Sequence, residues 1–411
     1  MPEAPSTQRS RGMRDLLPDE MDRVRLVERT FARVCSARGY REIRTPVIEQ
    51  LHLFTSAGTL SPQTLDRVYS FLDWDGWSGE RVVLRPDSTI PAARLYAEGL
   101  DGGRVAKLYY SQNVFRFTDD DAAREEWQCG VELMGDTGSV GDVELAFLAV
   151  DVLDALSVSD ITISLSHAGI VRSVLAAAGM TPEEQSAAYD RLLDGDTSVI
   201  DEVEARLPEF NAGLRMLFEL EGEGSGYLAN LRQPLLSIPG IAAVLDELGF
   251  VVEALERRGV APRIKAALAR NFEYYSGIIL RIDAGGRRVL AGGRYDELIG
   301  LVGGKRVPAS GFALYVDPVV ALLSDRPAVR ELAILVTPGD VTPASVTAAQ
   351  VTASALREAG IPAETISVDE SAARACVLCH DGGARFTVEA SGATTGCTGL
   401  VELIRVLEAL S

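Results

Sequence analysis

The chain is short of positive charge. Its 411 residues carry 40 Lys and Arg against 59 Asp and Glu, a formal net charge of −19. Sequence-independent binding of nucleic acid rests on clustered Lys and Arg that neutralise phosphates. This composition supplies no such excess, which counts against a polynucleotide partner unless a local basic strip exists. Long hydrophobic runs are also missing. No segment approaches the ~20 apolar residues needed to span a bilayer, and the first ten residues, MPEAPSTQRS, are polar rather than signal-like. A soluble, cytoplasmic protein is expected. Cysteine is scarce, with five residues, an odd number spread along the chain, so a disulfide framework is not expected. Cys376-Val-Leu-Cys379-His380 formally matches a haem-attachment pattern. Covalent haem would need a secreted context, and a thioredoxin-like pair would sit at a strand-to-helix turn. Here Ala375 to Cys379 reads as a buried strand entering an Asp-Gly-Gly turn. Neither a metal nor a cofactor is expected.

What is present is apolar material, 47% of the residues, enough for two or three domains with real cores. Met21, Val24, Val27, Phe31 and Val34 recur at three- and four-residue spacing, which predicts an amphipathic helix stopping near Gly39. Tyr40 to Val47 reads as a strand interrupted by Pro46. Further strands are expected over Arg81–Leu84, Val105–Ser111, Gln128–Met134 and Ile161–Leu165, with helices over Thr89–Glu98 and Val143–Leu156. Strands in runs separated by a few helices predict an antiparallel α+β layer. Residues 167–262, rich in Ala, Leu and Glu, read as a helical insertion. Strand character returns at Ile278–Ile282, Arg288–Ala291 and Phe312–Leu314, closing a first domain over residues 1–324. After a polar Ser324–Pro327 linker, residues 331–411 alternate strand and helix and predict a small α/β domain. No internal repeat is evident.

Four segments carry a family resemblance. They are Gly12-Met13-Arg14-Asp15-Leu16-Leu17-Pro18; Leu84-Arg85-Pro86-Asp87-Ser88-Thr89 followed by Arg94; Val114-Phe115-Arg116 to Arg124-Glu125-Glu126-Trp127-Gln128-Cys129-Gly130-Val131-Glu132; and the pair Arg270-Asn271-Phe272-Glu273-Tyr274-Tyr275-Ser276-Gly277 with Ala291-Gly292-Gly293-Arg294-Tyr295-Asp296. In this order and spacing the chain resembles histidyl-tRNA synthetase, a class II enzyme, and its non-synthetase paralogues. The resemblance implies a class II synthetase-like antiparallel sheet flanked by helices, with a helical insertion and a small C-terminal α/β domain.

It also implies a pocket for free histidine. Asp87, Thr89 and Gln128 match the positions that hold the ammonium, with Asp standing for the family's usual Glu at 87. Glu132 matches the carboxylate that reads the imidazole N–H, Tyr275 and Tyr295 the hydroxyls that close around the ring, and Arg116 and Arg270 the cations facing the carboxylate. An anion with two neutral acceptors suits an ammonium, and an imidazole offers two nitrogens to a carboxylate and hydroxyls.

Other positions depart from the family. Its GFAxGxERL segment is Gly311-Phe312-Ala313-Leu314-Tyr315-Val316-Asp317-Pro318-Val319 here. Pro318 stands where the family has the arginine that clamps ATP, and Tyr315 where it has a small glycine. The glutamate of its FRxE is Thr118, followed by Asp119, Asp120 and Asp121. Phosphoryl chemistry needs cations set against developing negative charge, and three aspartates repel a triphosphate. The C-terminal segment resembles the anticodon-binding domain in its alternating pattern alone. Its Arg357, Arg374, Arg385 and Arg405 are too dispersed to track phosphates. No aminoacylation and no tRNA partner are therefore expected. Among the paralogues, the resemblance implies a regulatory subunit of ATP phosphoribosyltransferase. Such a chain joins a separate short catalytic subunit, supports its activity and takes part in histidine feedback. A homodimer through the segment from Asp19 to Pro46 is also implied; the stripe Val24, Val27, Phe31 and Val34 can serve either that seam or the domain's own core, the commoner use of such a stripe.

Overall fold

The structure is a computed structural model. It describes residues 9–56, 68–74, 79–100, 105–117, 123–135, 138–219, 222–265, 268, 275–323, 334–366 and 373–410. Its contacts divide the chain into two compact units, residues 1–327 and 328–411.

The first unit opens on α1 (Pro18–Ala37), whose first turn holds Pro18, Asp19 and Glu20, residues suited to a helix N-terminus. The helix ends at Arg38 and Gly39, the latter in the left-handed region. The strand expected over Tyr40–Val47 is split. β1 (Arg41–Glu42) and β2 (Ile48–Gln50) enter different sheets. Pro46 lacks an N–H and breaks the ladder, and the Thr45 and Pro46 carbonyls instead accept from the Arg85 guanidinium at 2.8 and 3.1 Å. The further strands are β3 (Ser70–Trp74), β4 (Gly79–Leu84), β5 (Ala106–Phe115), β6 (Glu125–Met134), β7 (Ile161–His167), β8 (Gly222–Glu223), β9 (Arg263–Ile264), β10 (Ile278–Ala284), β11 (Arg287–Arg294) and β12 (Ala309–Tyr315). The large sheet runs β1-β5-β6-β12-β11-β10-β7-β9-β8. Its six central strands, β5 to β7, are antiparallel as expected. The two-residue strands β1 and β9 pair parallel with β5 and β7, so the whole sheet is mixed. A second antiparallel sheet runs β2-β4-β3.

Register sends the two faces of the large sheet to different fates. Cys129, Val131 and Leu133 of β6, with Phe312 and Leu314 of β12, point into the main core. There they meet α1 through Val24, Val27, Phe31 and Cys35, all buried. Phe31 sets its ring edge-on to Tyr109 and Phe312, each 6.3 Å away. The stripe of α1 therefore serves the domain's own core. After α2 (Leu51–Ser56) and α3 (Thr89–Leu95), α4 (Gly138–Ala155) is apolar on most sides and lies buried in the same core. The expected insertion is six helices: α5 (Ala168–Ala177), α6 (Pro182–Leu193), α7 (Ser198–Arg206), α8 (Asn211–Glu219), α9 (Gly224–Leu235) and α10 (Ile241–Arg257). Leu214, Leu231, Leu245 and Leu248 join them to the core beneath the sheet, so the inserted helices are not a separate body. The unit closes with α11 (Leu298–Leu301) and α12 (Val316–Leu322).

The second unit holds β13 (Ile334–Pro338), β14 (Ala363–Glu364), β15 (Ala375–His380), β16 (Arg385–Ala390) and β17 (Ala393–Thr398) in the order β14-β13-β15-β16-β17. Helices α13 (Pro343–Glu358) and α14 (Leu400–Glu408) complete it. The alternation of β15 buries Cys379 and leaves Cys376 half-buried, three positions apart on opposite faces. They share no ligand geometry.

Candidate ligand pocket on the antiparallel sheet

The face of the sheet opposite the core carries Gln128, Gly130 and Glu132 on β6. Register sets Glu132 beside Gly311, and Gly311 beside Gly293. These glycines are a floor. A Cβ on Gly311 would collide with Glu132 Oε2, one on Gly130 with the Tyr110 ring, and one on Gly293 would sit 2.8 Å from the Tyr275 ring. Each absent side chain is occupied by a functional one from the neighbouring strand or loop.

Glu132 is the centre of the pocket. It is 1% exposed. Its Oε1 accepts from the Tyr110 hydroxyl at 3.0 Å, and its Oε2 accepts from the Tyr295 hydroxyl. Burial pushes its carboxyl well above the usual carboxylate range, hydrogen bonding with Thr89 and Tyr110 pulls it part-way back, and nearby Asp87 pushes it up again. Burial likewise raises Asp87, against the Ile90 amide and the Arg116 charge. The Ile90 N–H donates to Asp87 Oδ1 at 2.9 Å, so this carboxylate also caps the start of α3. Gln128 is 3% exposed and pairs across the sheet with Gln112 and Tyr315. The Tyr275 carbonyl accepts from Arg172 of α5 at 3.2 Å, and burial raises the Tyr275 hydroxyl above its ordinary value. Arg116 donates to the Pro86 carbonyl at 3.0 Å and to Glu126 at 3.1 Å. Thus Asp87, Thr89, Tyr275 and Tyr295 gather around Glu132, while Gln128 stands on the same face of β6 four residues away, opposite Tyr315. Arg270, Thr118 and Asp119 to Asp121 lie outside the described residues.

Tyr110 and the three floor glycines were not singled out from sequence. The signal available was the period-two series Leu108, Tyr110, Gln112, but its pairing with β6 comes only from register. A second group was also missed. Behind the sheet, Arg294 donates to both oxygens of Asp142, which is almost wholly buried, and to Glu247 Oε2 at 3.4 Å. Glu247 in turn lies 3.4 Å from His167 Nε2. Arg294 sits between Gly293 and Tyr295, so this network on α4 and α10 anchors the strand that forms the pocket.

At the other end of the face, Tyr315 closes β12 opposite Gln128, with the Arg288 guanidinium 6.0 Å from its ring centroid. Pro318 falls in the first turn of α12, where an N–H has no intrahelical partner and proline is tolerated. Its neighbour Asp317 accepts from Arg14 at 2.6 Å. Among the described residues no group of three or more His, Cys, Asp or Glu is placed to hold a metal, and no helix is long and apolar enough to cross a membrane.

The sequence profile described as Histidyl-tRNA synthetase matches residues 12–319. The chain belongs to the histidyl-tRNA synthetase family. Within it, the chain is 43% identical over 361 residues to an ATP phosphoribosyltransferase regulatory subunit from Dehalococcoides mccartyi, covering 87% of each. It is 30% identical over 369 residues to a histidine–tRNA ligase from Methanococcus maripaludis, covering 87% of this chain and 85% of that one. A solved structure from Bacillus halodurans, described as an ATP phosphoribosyltransferase regulatory subunit/histidyl-tRNA synthetase, aligns with a TM-score of 0.75 at 23% identity. That alignment covers 91% of this chain and 98% of the other. The histidyl-tRNA synthetase of Nostoc aligns with a TM-score of 0.74 at 18% identity, covering 98% and 99%. At these identities the structures establish the class II synthetase-like fold.

Proposed function

We propose that the chain is a non-catalytic regulatory subunit of an ATP phosphoribosyltransferase. It binds free L-histidine through Asp87, Thr89, Arg116, Gln128, Glu132, Arg270, Tyr275 and Tyr295. It joins a separate short catalytic chain, is needed for that chain's activity, and carries histidine feedback in the first step of histidine biosynthesis. The observation that carries this reading is the contrast within one sheet face. The pocket end is assembled around Glu132, while the far end presents Tyr315 and Pro318 where the family has a glycine and its ATP-clamping arginine. A ligand site kept without phosphoryl chemistry serves as a regulatory input. The 43% identity to a chain named as such a subunit supports the same reading.

A homodimer belongs to this proposal. Its seam is the segment from Asp19 to Pro46, where the α1 stripe is buried in the core and the other faces of the helix, Leu26 among them, stay exposed for the second copy. Sedimentation of the isolated chain as a monomer at micromolar concentration contradicts that part.

The decisive experiment co-expresses this chain with a short catalytic chain and measures phosphoribosyl transfer against histidine concentration, then repeats it with Glu132→Ala. Inhibition shifts to higher histidine in the variant. Linkage requires the inhibited arrangement to bind histidine more tightly by the same factor. Equal sensitivity of parent and variant removes the pocket as sensor. The second reading, histidine–tRNA ligation, rests on the 30% identity to a ligase. Histidine-dependent pyrophosphate exchange separates the two.

A further inference from the structure

We propose that the pocket holds its ligand's ring as an imidazolium against an ionised Glu132, even at a pH where the free ring is neutral. This rests on the histidine reading of the site and specifies the charge state in which the ligand is held.

The argument starts from what surrounds Glu132. Both its oxygens are occupied by hydroxyl donors, Tyr110 on Oε1 and Tyr295 on Oε2, and the side chain is all but closed to water. Register places Leu108 of β5 on one side and Gly311 of β12 on the other. Among the described residues, the titratable groups around it are acids. They are Asp87 before α3, Tyr110 on β5, Tyr275, Tyr295 after β11 and, farther off, Tyr40 after α1. Among the described residues no Lys, Arg or His makes an ion pair with Glu132 or Asp87. Arg85 and Arg116, which flank this segment, are committed to other partners, Arg85 to Thr45, Pro46 and Asn113, and Arg116 to Pro86 and Glu126. An ionised carboxylate in such a place, without a cation, is strongly unfavourable and takes up a proton instead. The empty pocket therefore holds a proton on Glu132, in line with the upward push of burial on that group.

A ring with an ordinary pKa near ~6.5 arrives neutral at pH 8. In the pocket it meets the Glu132 carboxyl, which carries a proton it can give. The O–H bond of Glu132 breaks, the bond from hydrogen to the ring's unprotonated nitrogen forms, and no proton is exchanged with solvent. The product is a charge-assisted pair in a low-dielectric site, while the two tyrosine hydroxyls go on donating to the carboxylate they now stabilise. Ring basicity then becomes a determinant of specificity. An isostere of the same shape with a less basic ring loses up to about tenfold in affinity per unit of basicity removed.

The test uses the full chain and histidine labelled with nitrogen-15 in the ring, observed by NMR at pH 8. The expected bound spectrum is that of an imidazolium, with both ring nitrogens protonated, beside a free pool that is neutral. A bound ring with the neutral pattern overturns this inference and leaves the histidine reading standing. Absence of any bound signal, with and without the catalytic chain, removes both. A second arm compares 2-fluorohistidine, whose ring is far less basic, with histidine. A loss of at least a hundredfold is expected, and equal affinity overturns the proposal. Glu132→Gln returns the bound ring to the neutral form, and if that variant fails to fold the isostere arm decides alone.

Discussion

Tyr295 and Glu132 lie 163 residues apart in the sequence, and the tyrosine hydroxyl donates to Glu132 Oε2. The contact joins the signature stretches around Glu132 and Tyr295 and passes beside Gly311, the β12 residue paired with Glu132. Replacing Tyr295 by Phe removes a donor to a charged group, and Glu132→Ala leaves a donor on the ligand unpaired. Each variant is expected to weaken histidine binding by about 1–3 kcal/mol. Calorimetric titration is the measurement, and unchanged affinity in both variants contradicts the assignment.

Gly311→Ala tests the floor. Its Cβ collides with Glu132 Oε2 and comes 2.8 Å from the Tyr295 hydroxyl. The Cβ also collides with the Val131 carbonyl oxygen, so β6 and β12 shift against each other and histidine binding falls below detection. Parent-like affinity in a folded Gly311→Ala chain would show that the pocket lies elsewhere.

Activation chemistry is expected to be absent. With Tyr315 and Pro318 in place, histidine-dependent pyrophosphate exchange stays at background at saturating ATP. A rate clearly above a Glu132→Ala control refutes this.

The network behind the sheet is a matter of stability. Asp142 is a carboxylate with 2% of its side chain exposed, facing Arg294. Asp142→Ala leaves the guanidinium with the longer Glu247 contact at 3.4 Å, and losses of up to about 3–5 kcal/mol accompany removal of one partner of a buried pair. Denaturant unfolding reads that loss, and the double replacement Asp142→Leu with Arg294→Met recovers part of it. A single variant as stable as the parent contradicts the account.

Asp151 gives a pH signature. Burial alone would raise its carboxyl, but hydrogen bonds and charge from Arg38 and Arg258 override burial and hold it below the ordinary value. A depressed carboxylate contributes stability above its unfolded pKa and loses it as pH falls through the folded one. Asp151→Asn is therefore less stable than the parent at pH 7, and the gap closes as pH drops below the usual carboxylate range. A pH-independent gap removes the ion-pair explanation.

Much of this was legible because the signals were local. The α1 stripe, the strand runs and the signature stretches around Glu132 and Tyr295 can be read without knowing what they touch. The rest depended on pairing. Tyr110 becomes a ligand of Glu132 only once β5 and β6 take their register. β3 is exposed at every position and has no inner face to alternate against, and β17 is built of small and polar residues. Neither gives a periodic signal. The parallel edge strands β1 and β9 are two residues each, below any pattern. Arg294 reads as part of a signature, yet its partners Asp142 and Glu247 lie on helices distant in sequence.

The edge-on contact of Phe31 with Phe312 bears on how the chain is made. During synthesis α1 meets Tyr109, β6 and α4 first, and the edge of Phe31 that faces Phe312 waits uncovered while the inserted helices and later strands are still being added. The arginine at position 14 waits in the same way for Asp317. Nascent chains halted before residue 312 keep the Phe31 side of α1 only partly covered, an apolar handle for chaperones. The clasp between the two ends of this unit forms only when its last strand has emerged.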